Sequence, residues 1–433
     1  MKKVLLLSID LQESFESPAI YCLKAYALKF KEINKSFKII ARHAACQKFN
    51  LKKEIEFIKK AKPAALCISC YTWNIKAAEA IARETKKALP ETKIVIGGPE
   101  SSAEIMKRNQ AMDVAILGEG ERKFYELLRW LDGKKKISEI KGAAYREKGK
   151  LKETKSKGRE VKLSELPSPY LTGICQPRET IHIEFDRGCP FGCTFCNFGK
   201  NEKLEYFPME RIKKEIDYAA ENGLEIMLNT ATSNLNINEE RTIEIFRYLS
   251  KLEKKKKARY CIHAHFSHAL PYEKTIKAAK EMEIKISPHI GIQTISEKTS
   301  KNVNRRLDIG RLKKMLELLR VNGMGFHLYL MTGLPGDNFF TFARGLKFAI
   351  DEGSTGIDVN HTLVLNNTQM KKDAKKFKIK YAKKGFPLVI SNFSFSEEEL
   401  KKADAMADSE KLEWHSNANW MKKTWQEHVK NWA

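Results

Sequence analysis

Short apolar runs alternate with amphipathic stretches through the first 130 residues. The runs Val4–Ile9, Phe37–Ala41, Ala65–Ser69, Lys93–Ile96 and Val114–Leu117 read as strands. Between them, Lys52–Lys60 and Ala77–Ala88 carry apolar residues at three- and four-residue steps, the period of a helix with one buried face. Strand and helix in this succession predict a doubly wound parallel sheet, an α/β layer structure with helices on both faces. Ligands of such sheets bind outside the carboxyl ends of the strands. The residues expected there are Ser69-Cys70-Tyr71-Thr72, Gly97-Gly98-Pro99-Glu100 and Gly118-Glu119-Gly120-Glu121. Paired glycines either let a ligand approach the backbone or simply make tight strand–helix turns.

The pattern breaks from Gly133 to Lys162, where twelve of thirty residues are Lys or Arg and four are acidic. This stretch reads as a basic linker with a small hairpin, closed by the proline-containing segment Leu166–Tyr170. A second alternation follows, with strands expected at Ile181–Phe185, Glu225–Leu228, Arg259–His263, Lys285–Gly291, Gly325–Met331 and Gly356–Asn360. Helices are expected at Arg211–Asn222, Glu239–Lys254, Tyr272–Met282, Ile309–Asn322 and Phe339–Glu352. Six such units predict a partial (β/α)6 barrel with its chemistry at the strand carboxyl ends. The expected organisation is a sheet domain over 1–132, the linker over 133–175, the barrel over 176–390 and a helical, Trp-rich extension over 391–433.

Composition narrows the class. The 433 residues are 42% apolar and 31% charged, which excludes a disordered or fibrous chain. No apolar run reaches membrane-spanning length, and the first apolar run is too short for a signal peptide, so a cytoplasmic, membrane-free protein is expected. Nine cysteines in so long a chain do not form a secreted disulfide framework. The formal charge of +25 raises nucleic acid or an acidic partner. However, the Lys-rich runs Lys254–Lys257 and Lys371–Lys384 contain no Arg, and no RNA-binding module is present. An acidic small molecule or peptide is the better match.

The decisive feature is Asp186-Arg187-Gly188-Cys189-Pro190-Phe191-Gly192-Cys193-Thr194-Phe195-Cys196, three cysteines spaced C-x3-C-x2-C after a strand. A structural zinc site needs a fourth ligand, and none lies nearby. Three thiolates can instead hold three irons of a 4Fe–4S cluster and leave one iron open to a small molecule.

This segment resembles the radical S-adenosylmethionine superfamily, with Phe195 in the aromatic place before the last cysteine. The resemblance implies that Cys189, Cys193 and Cys196 bind the cluster, that the cofactor chelates the open iron, and that an electron donor such as flavodoxin or ferredoxin reduces it. Gly291-Ile292-Gln293-Thr294, Asn304-Arg305 and Met331-Thr332-Gly333-Leu334-Pro335-Gly336 are similar to later cofactor-binding segments of the cobalamin-type branch. They implicate Gln293, Thr294, Arg305, Met331, Gly333 and Leu334, with Arg305 as a fork for the cofactor carboxylate. The Gly-Gly-Glu turn of many relatives is replaced by Leu228-Asn229-Thr230-Ala231-Thr232, which makes Asn229 or Thr230 the acceptor for the cofactor amine. Leu363–Thr368 stands where relatives often carry a Pro-Gly-Thr turn.

The first domain is similar to cobalamin-binding domains of the same branch, which by resemblance places Ser69, Thr72, Gly97, Gly98, Glu119 and Gly120 around the corrin and its tail. The Asp-x-His-x-x-Gly motif that supplies a cobalt ligand is absent, and His43 does not fit it. Either cobalamin binds without a protein histidine, or the domain is a scaffold. Cys67 and Cys70 read as core residues, and Tyr260, Cys261 and Tyr329 as candidate hydrogen-atom donors or packing residues of the barrel. His263 and His265 share one strand face. The expected function is a radical modification of an unactivated carbon, with cobalamin-dependent C-methylation first. The alternatives are a cobalamin-free epimerisation, cyclisation or rearrangement, and a basic RNA- or peptide-binding protein with a structural cluster.

Overall fold

The computed structural model describes residues 1–11, 17–155, 158–198, 203–228, 233–254, 259–383 and 385–409. They form two compact units divided between Pro177 and Arg178.

The first unit begins with β1 (Lys2–Asp10), α1 (Ala19–Leu28), α2 (Lys31–Ser36) and β2 (Phe37–Ala45). It continues through α3 (Leu51–Ala61), β3 (Ala65–Ser69), α4 (Ile75–Ala88), β4 (Lys93–Gly97), α5 (Ala103–Arg108), β5 (Val114–Ile116) and α6 (Glu121–Leu131). A hairpin, β6 (Ala143–Glu147) and β7 (Lys150–Glu153), completes the sheet in the order β2-β1-β3-β4-β5-β6-β7. The first five strands are parallel, and β6 joins antiparallel to β5. Runs such as Val4-Leu5-Leu6-Leu7 are apolar without alternation because β1 is buried on both faces. The strand order reverses between β1 and β3, which sets a switch point at their carboxyl ends. The Lys-rich hairpin is therefore bonded into the sheet, with Ala115 opposite Ala144.

The second unit opens with β8 (Thr180–His182), a small antiparallel ribbon of β9 (Asp186–Arg187) and β10 (Glu205–Tyr206), and α7 (Met209–Glu221). Then come β11 (Glu225–Met227), α8 (Glu239–Lys254), β12 (Arg259–Phe266), α9 (Glu273–Glu281), β13 (Ile286–Gln293), α10 (Glu297–Asn302) and α11 (Ile309–Val321). β14 (His327–Thr332), α12 (Phe339–Asp351) and β15 (Gly356–His361) close the series. After it lie α13 (Gln369–Lys372), β16 (Lys380–Tyr381), β17 (Val389–Ser391) and α14 (Glu397–Ser409). The six long-sheet strands run in chain order, β8-β11-β12-β13-β14-β15, all parallel. With helices between them and two unpaired edges among the described residues, this is an open (β/α)6 barrel.

The two faces of this sheet differ in kind. Ile262, Ala264, Ile290, Ile292, Leu328, Leu330, Ile357 and Val359 are buried, and Leu330 meets Gly345 of α12, so this apolar face carries the helices. Ser287, His289, Gly291, Gln293, His327, Tyr329, Asp358 and Asn360 occupy the alternate positions and are only half-buried. Barrel interiors are ordinarily packed with branched apolar layers. Here the concave face is polar and open. The Trp-rich end of the chain, with Trp414, Trp420, Trp425 and Trp432, lies outside the described residues.

Candidate functional site

The cysteine loop leaves β9 through Gly188, whose φ of +96° and absent side chain are both required. A Cβ there would sit 2.7 Å from the Lys203 carbonyl oxygen. The loop is held from the segment that follows α10. Thr194 N–H donates to the Val303 carbonyl at 2.9 Å, and Asn304 Nδ2 donates to the Gly192 carbonyl at 2.9 Å. Gly192 must be bare because a Cβ would meet that same amide at 2.7 Å. Arg305 Nη1 then reaches Cys193 Sγ at 3.5 Å, while the Phe198 N–H donates to Cys196 Sγ at 3.3 Å. Burial raises the Cys189 thiol above its ordinary range, and neighbouring Cys196 and Cys193 add to the effect. Metal binding removes those protons.

Among the described residues no three His, Cys, Asp or Glu side chains converge on a single metal ion. A 4Fe–4S cluster does not ask for that, because each thiolate binds a different iron. Three thiols in one loop, N–H donors on two of the sulfurs and a guanidinium beside Cys193 fit such a cluster. Phe195 stands in the same loop, half-buried.

Beside this loop, β13 ends in an irregularity. Its register against β14 shifts between Gly291 and Gln293, and Gln293 adopts φ +66°. The bulge re-aims Gln293 and is a costly conformation for that residue. Arg305 Nη2 donates to the Gly291 carbonyl, and a Cβ on Gly291 would meet Gln293 Nε2 at 2.5 Å and Arg305 Nη2 at 3.1 Å. Arg305 Nε and Gln293 Oε1 are buried with no hydrogen-bond partner. An orphaned donor and acceptor side by side suit a ligand carrying both a carboxylate and an amine. Behind them, His268 is pushed down to about 4 by burial, with the Arg305 charge adding, and its Nε2 accepts from the Asp308 N–H at 3.3 Å.

Other expected cofactor residues prove to be committed elsewhere. Thr294 is buried, donates to Asp337 Oδ1 at 3.1 Å and accepts from the Ser296 N–H, so it fixes the turn into α10 instead of facing an open site. Leu334 is fully buried, and Gly333, at φ +78°, lies against Val389 and Leu400. Met331 is buried beside them at the end of β14. Asn229 and Thr230 lie outside the described residues. Tyr260 is placed as its packing alternative has it. Its phenol donates to Glu253 of α8 at 2.7 Å, on the helix-bearing face. Cys261 and His263 lie on β12, but their side chains are outside the described set. Tyr329 faces the concave side, where its hydroxyl and His289 Nδ1 are 2.5 Å apart.

Sequence reasoning singled out His265 but missed its partners. His265, His289, His327 and Gly356 are cross-strand neighbours on β12 to β15. The His289 and His327 rings stack at 4.8 Å with 2° between their planes, and Gly356 leaves room for the His327 ring. The two-residue period Ser287, His289, Gly291, Gln293 was the available signal.

In the first unit, the switch-point residues sit at the strand carboxyl ends. Cys70 N–H donates to the Gly97 carbonyl at 2.7 Å, and Gly98, at φ +93°, could not bear a Cβ within 2.7 Å of the Cys70 carbonyl. A Cβ on Gly97 would point into open space, so this backbone is accessible to a ligand. Thr72 donates to buried Glu100 at 3.1 Å, and the Ser69 carbonyl accepts from Asn74. Glu119 is gripped by the Arg159 fork at 2.8–3.0 Å, and Gly120 is bare because Leu23 would lie 2.9 Å from a Cβ. Glu119 thus takes part in an ion pair, and Gly120 in the packing of α1 on α6. His43 Nε2 lies 3.0 Å from the buried Asp10 carboxylate, a pairing across β1 and β2 that no local motif announces. Burial raises the thiols of Cys67, to about 12, and of Cys70, so both are core residues and not a redox pair.

Comparison with known proteins meets the same two units. Residues 33–128 match the B12 binding domain, and residues 183–349 match the radical SAM superfamily. The chain thus carries a stretch that matches the B12 binding domain ahead of one that matches the radical SAM superfamily. The first is a domain for cobalamin, the second for a 4Fe–4S cluster and S-adenosylmethionine, and the open Gly97 backbone and the cysteine loop are the parts that fit them. The chain is 26% identical over 312 residues to the 2-(S-pantetheinyl)-carbapenam-3-carboxylate methyltransferase of Streptantibioticus cattleyicolor, covering 67% of this chain and 45% of that one. It is 23% identical to the cobalamin-dependent radical SAM methyltransferase TokK of Streptomyces tokunonensis, with coverages of 68% and 46%. The chain thus spans about half the length of the curated relatives it matches. In fold it is similar to the radical S-adenosylmethionine methyltransferase TsrM from Kitasatospora setae, with a TM-score of 0.69, 13% identity and coverages of 87% and 76%. The cobalamin-dependent S-adenosylmethionine radical enzyme OxsB follows at a TM-score of 0.64, 19% identity and coverages of 80% and 52%. No helix among the described residues is long and apolar enough to cross a membrane.

Proposed function

We propose that this chain is a cobalamin-dependent radical S-adenosylmethionine enzyme that methylates an unactivated carbon of a polar small molecule or peptide. The observation that carries the reading is the junction of Cys193, Arg305, Gly291 and Gln293. It joins a cluster-binding thiol to an unpaired donor and acceptor in one continuous contact chain. When bound, the reduced cluster with S-adenosylmethionine supplies a carbon radical, and cobalamin supplies a transferable methyl group. Cys189, Cys193 and Cys196 would hold the cluster, next to the cofactor's amine and carboxylate. Arg305 orients that carboxylate as a planar fork, and Gln293 Oε1 accepts from the amine. Gly97 and Gly98 let the corrin or its nucleotide tail approach the backbone, with Ser69 and Thr72 beside them. The polar concave face of β13, β14 and β15 receives a hydrogen-bonding substrate in place of a hydrocarbon. The surplus positive charge favours an acidic partner, either the substrate or an electron-carrier protein of the flavodoxin or ferredoxin kind. Two relatives named as methyltransferases support the choice of reaction.

The test is methyl transfer onto cobalamin before any substrate is added. Anaerobic protein reconstituted with cluster and cobalamin, then reduced and given S-adenosylmethionine, should form about one S-adenosylhomocysteine per bound cobalamin as the methyl group passes to cobalt. Corrin binding with no S-adenosylhomocysteine, or no corrin binding at all, would contradict methylation.

A further inference from the structure

Three side chains on two neighbouring strands form a hydrogen-bond chain that the cofactor-binding reading does not use. The Tyr329 hydroxyl and His289 Nδ1 lie 2.5 Å apart, and in the Nδ1–H tautomer the imidazole donates to the phenol oxygen. In that tautomer His289 Nε2 accepts from Ser287 Oγ at 3.4 Å. Asp358 of β15 is the cross-strand neighbour of Tyr329. The chain thus runs Ser287 to His289 to Tyr329, and its short bond fixes the phenol in the concave face. Desolvation raises the phenol well above its ordinary range, with Asp358 adding to the effect, so it keeps its proton.

Placement ties this chain to the cofactor end of the barrel. Tyr329 is the cross-strand partner of Gly291, whose missing side chain leaves room for the Arg305 guanidinium and the Gln293 amide. It also lies two residues before Met331 on the same strand. A phenol with its oxygen hydrogen-bonded by an imidazole N–H gives up a hydrogen atom more readily, because the N–H stabilises the oxygen radical left behind. We infer that Tyr329, positioned by His289, is a hydrogen-atom donor to carbon radicals formed in this barrel, and so ends turnovers in which no substrate hydrogen is taken. The inference rests on the radical reading above.

In the step, the phenol O–H bond breaks and a C–H bond forms on the radical carbon. Proton and electron move together, and tyrosine is oxidised by one electron to a phenoxyl radical. The low-potential one-electron donor that reduces the cluster restores it, with a proton returned through Ser287 and His289.

The experiment is substrate-free cleavage of S-adenosylmethionine by the dithionite-reduced, cluster-loaded enzyme in D2O. The isotopic mass of the 5′-deoxyadenosine is the readout. The wild type should give product carrying one deuterium, Tyr329→Phe should lower that fraction at least tenfold, and His289→Gln should lower it partially. In the cofactor-free protein, proton NMR should show a far-downfield signal from the His289–Tyr329 bond, which both variants lose while their circular dichroism is unchanged. Unlabelled product from the wild type overturns the assignment even if Tyr329→Phe does not fold. Full labelling in a folded Tyr329→Phe overturns it too, by pointing to another exchangeable donor. Absence of 5′-deoxyadenosine with a loaded cluster overturns the radical reading itself, and the inference with it.

Discussion

Gly291 carries more of the candidate site than any residue with functional groups of its own. Its carbonyl receives Arg305, its missing side chain leaves room for the Gln293 amide, and its cross-strand neighbour is Tyr329. A methyl group there would sit 2.5 Å from one amide and 3.1 Å from one guanidinium nitrogen, so both must move. Overpacking of this kind costs about 1–3 kcal/mol, and at about 1.4 kcal/mol per decade Gly291→Ala should weaken S-adenosylmethionine binding roughly tenfold. Calorimetric titration of the cluster-loaded variant measures this. Affinity within about twofold of wild type would show that Arg305 and Gln293 do not meet the cofactor. The cysteines were legible from spacing alone because a cluster loop is local in sequence. The Gly291 junction was legible only in part, since the Asn304-Arg305 pair was visible but its grip on Gly192, Cys193 and Gly291 is a tertiary fact.

At the scale of elements, strand alternation located β1, β3, β8 and β11 to β15 well, because parallel strands flanked by helices leave period and length signals that survive in one sequence. Which face a side chain takes was less legible. Tyr260 belongs to the helix side and His265 to the concave side, although both lie on β12. The row of His265, His289 and His327 is set by register between strands that are far apart in sequence. The same holds for α14. Its Asp404 accepts from Thr332 at 3.1 Å and lies 3.0 Å from His361 Nδ1, while His361 Nε2 donates to the Val389 carbonyl at 2.6 Å. Val389 and Leu400 in turn cover Gly333. α14 therefore braces the Met331–Leu334 segment from behind. Removing one partner of a buried pair costs about 3–5 kcal/mol, so Asp404→Ala should lower unfolding free energy by about that much in denaturant titration. Asp404→Asn should recover part of it, and a loss below about 0.5 kcal/mol would show that the brace is incidental.

For the whole molecule, the positive charge first suggested nucleic acid. The fold redirects that reading. Part of the Lys-rich linker is a strand pair of the first sheet, and the chemistry-bearing residues gather at strand ends in each unit separately. In the proposed function the second unit turns a thiolate-held cluster into a source of carbon radicals. This is tested most directly by anaerobic reconstitution, reduction with dithionite, and chromatographic measurement of 5′-deoxyadenosine formed from S-adenosylmethionine. The wild type should form product, and Cys193→Ala none above background. A wild-type protein with a fully loaded 4Fe–4S cluster and no 5′-deoxyadenosine would contradict it.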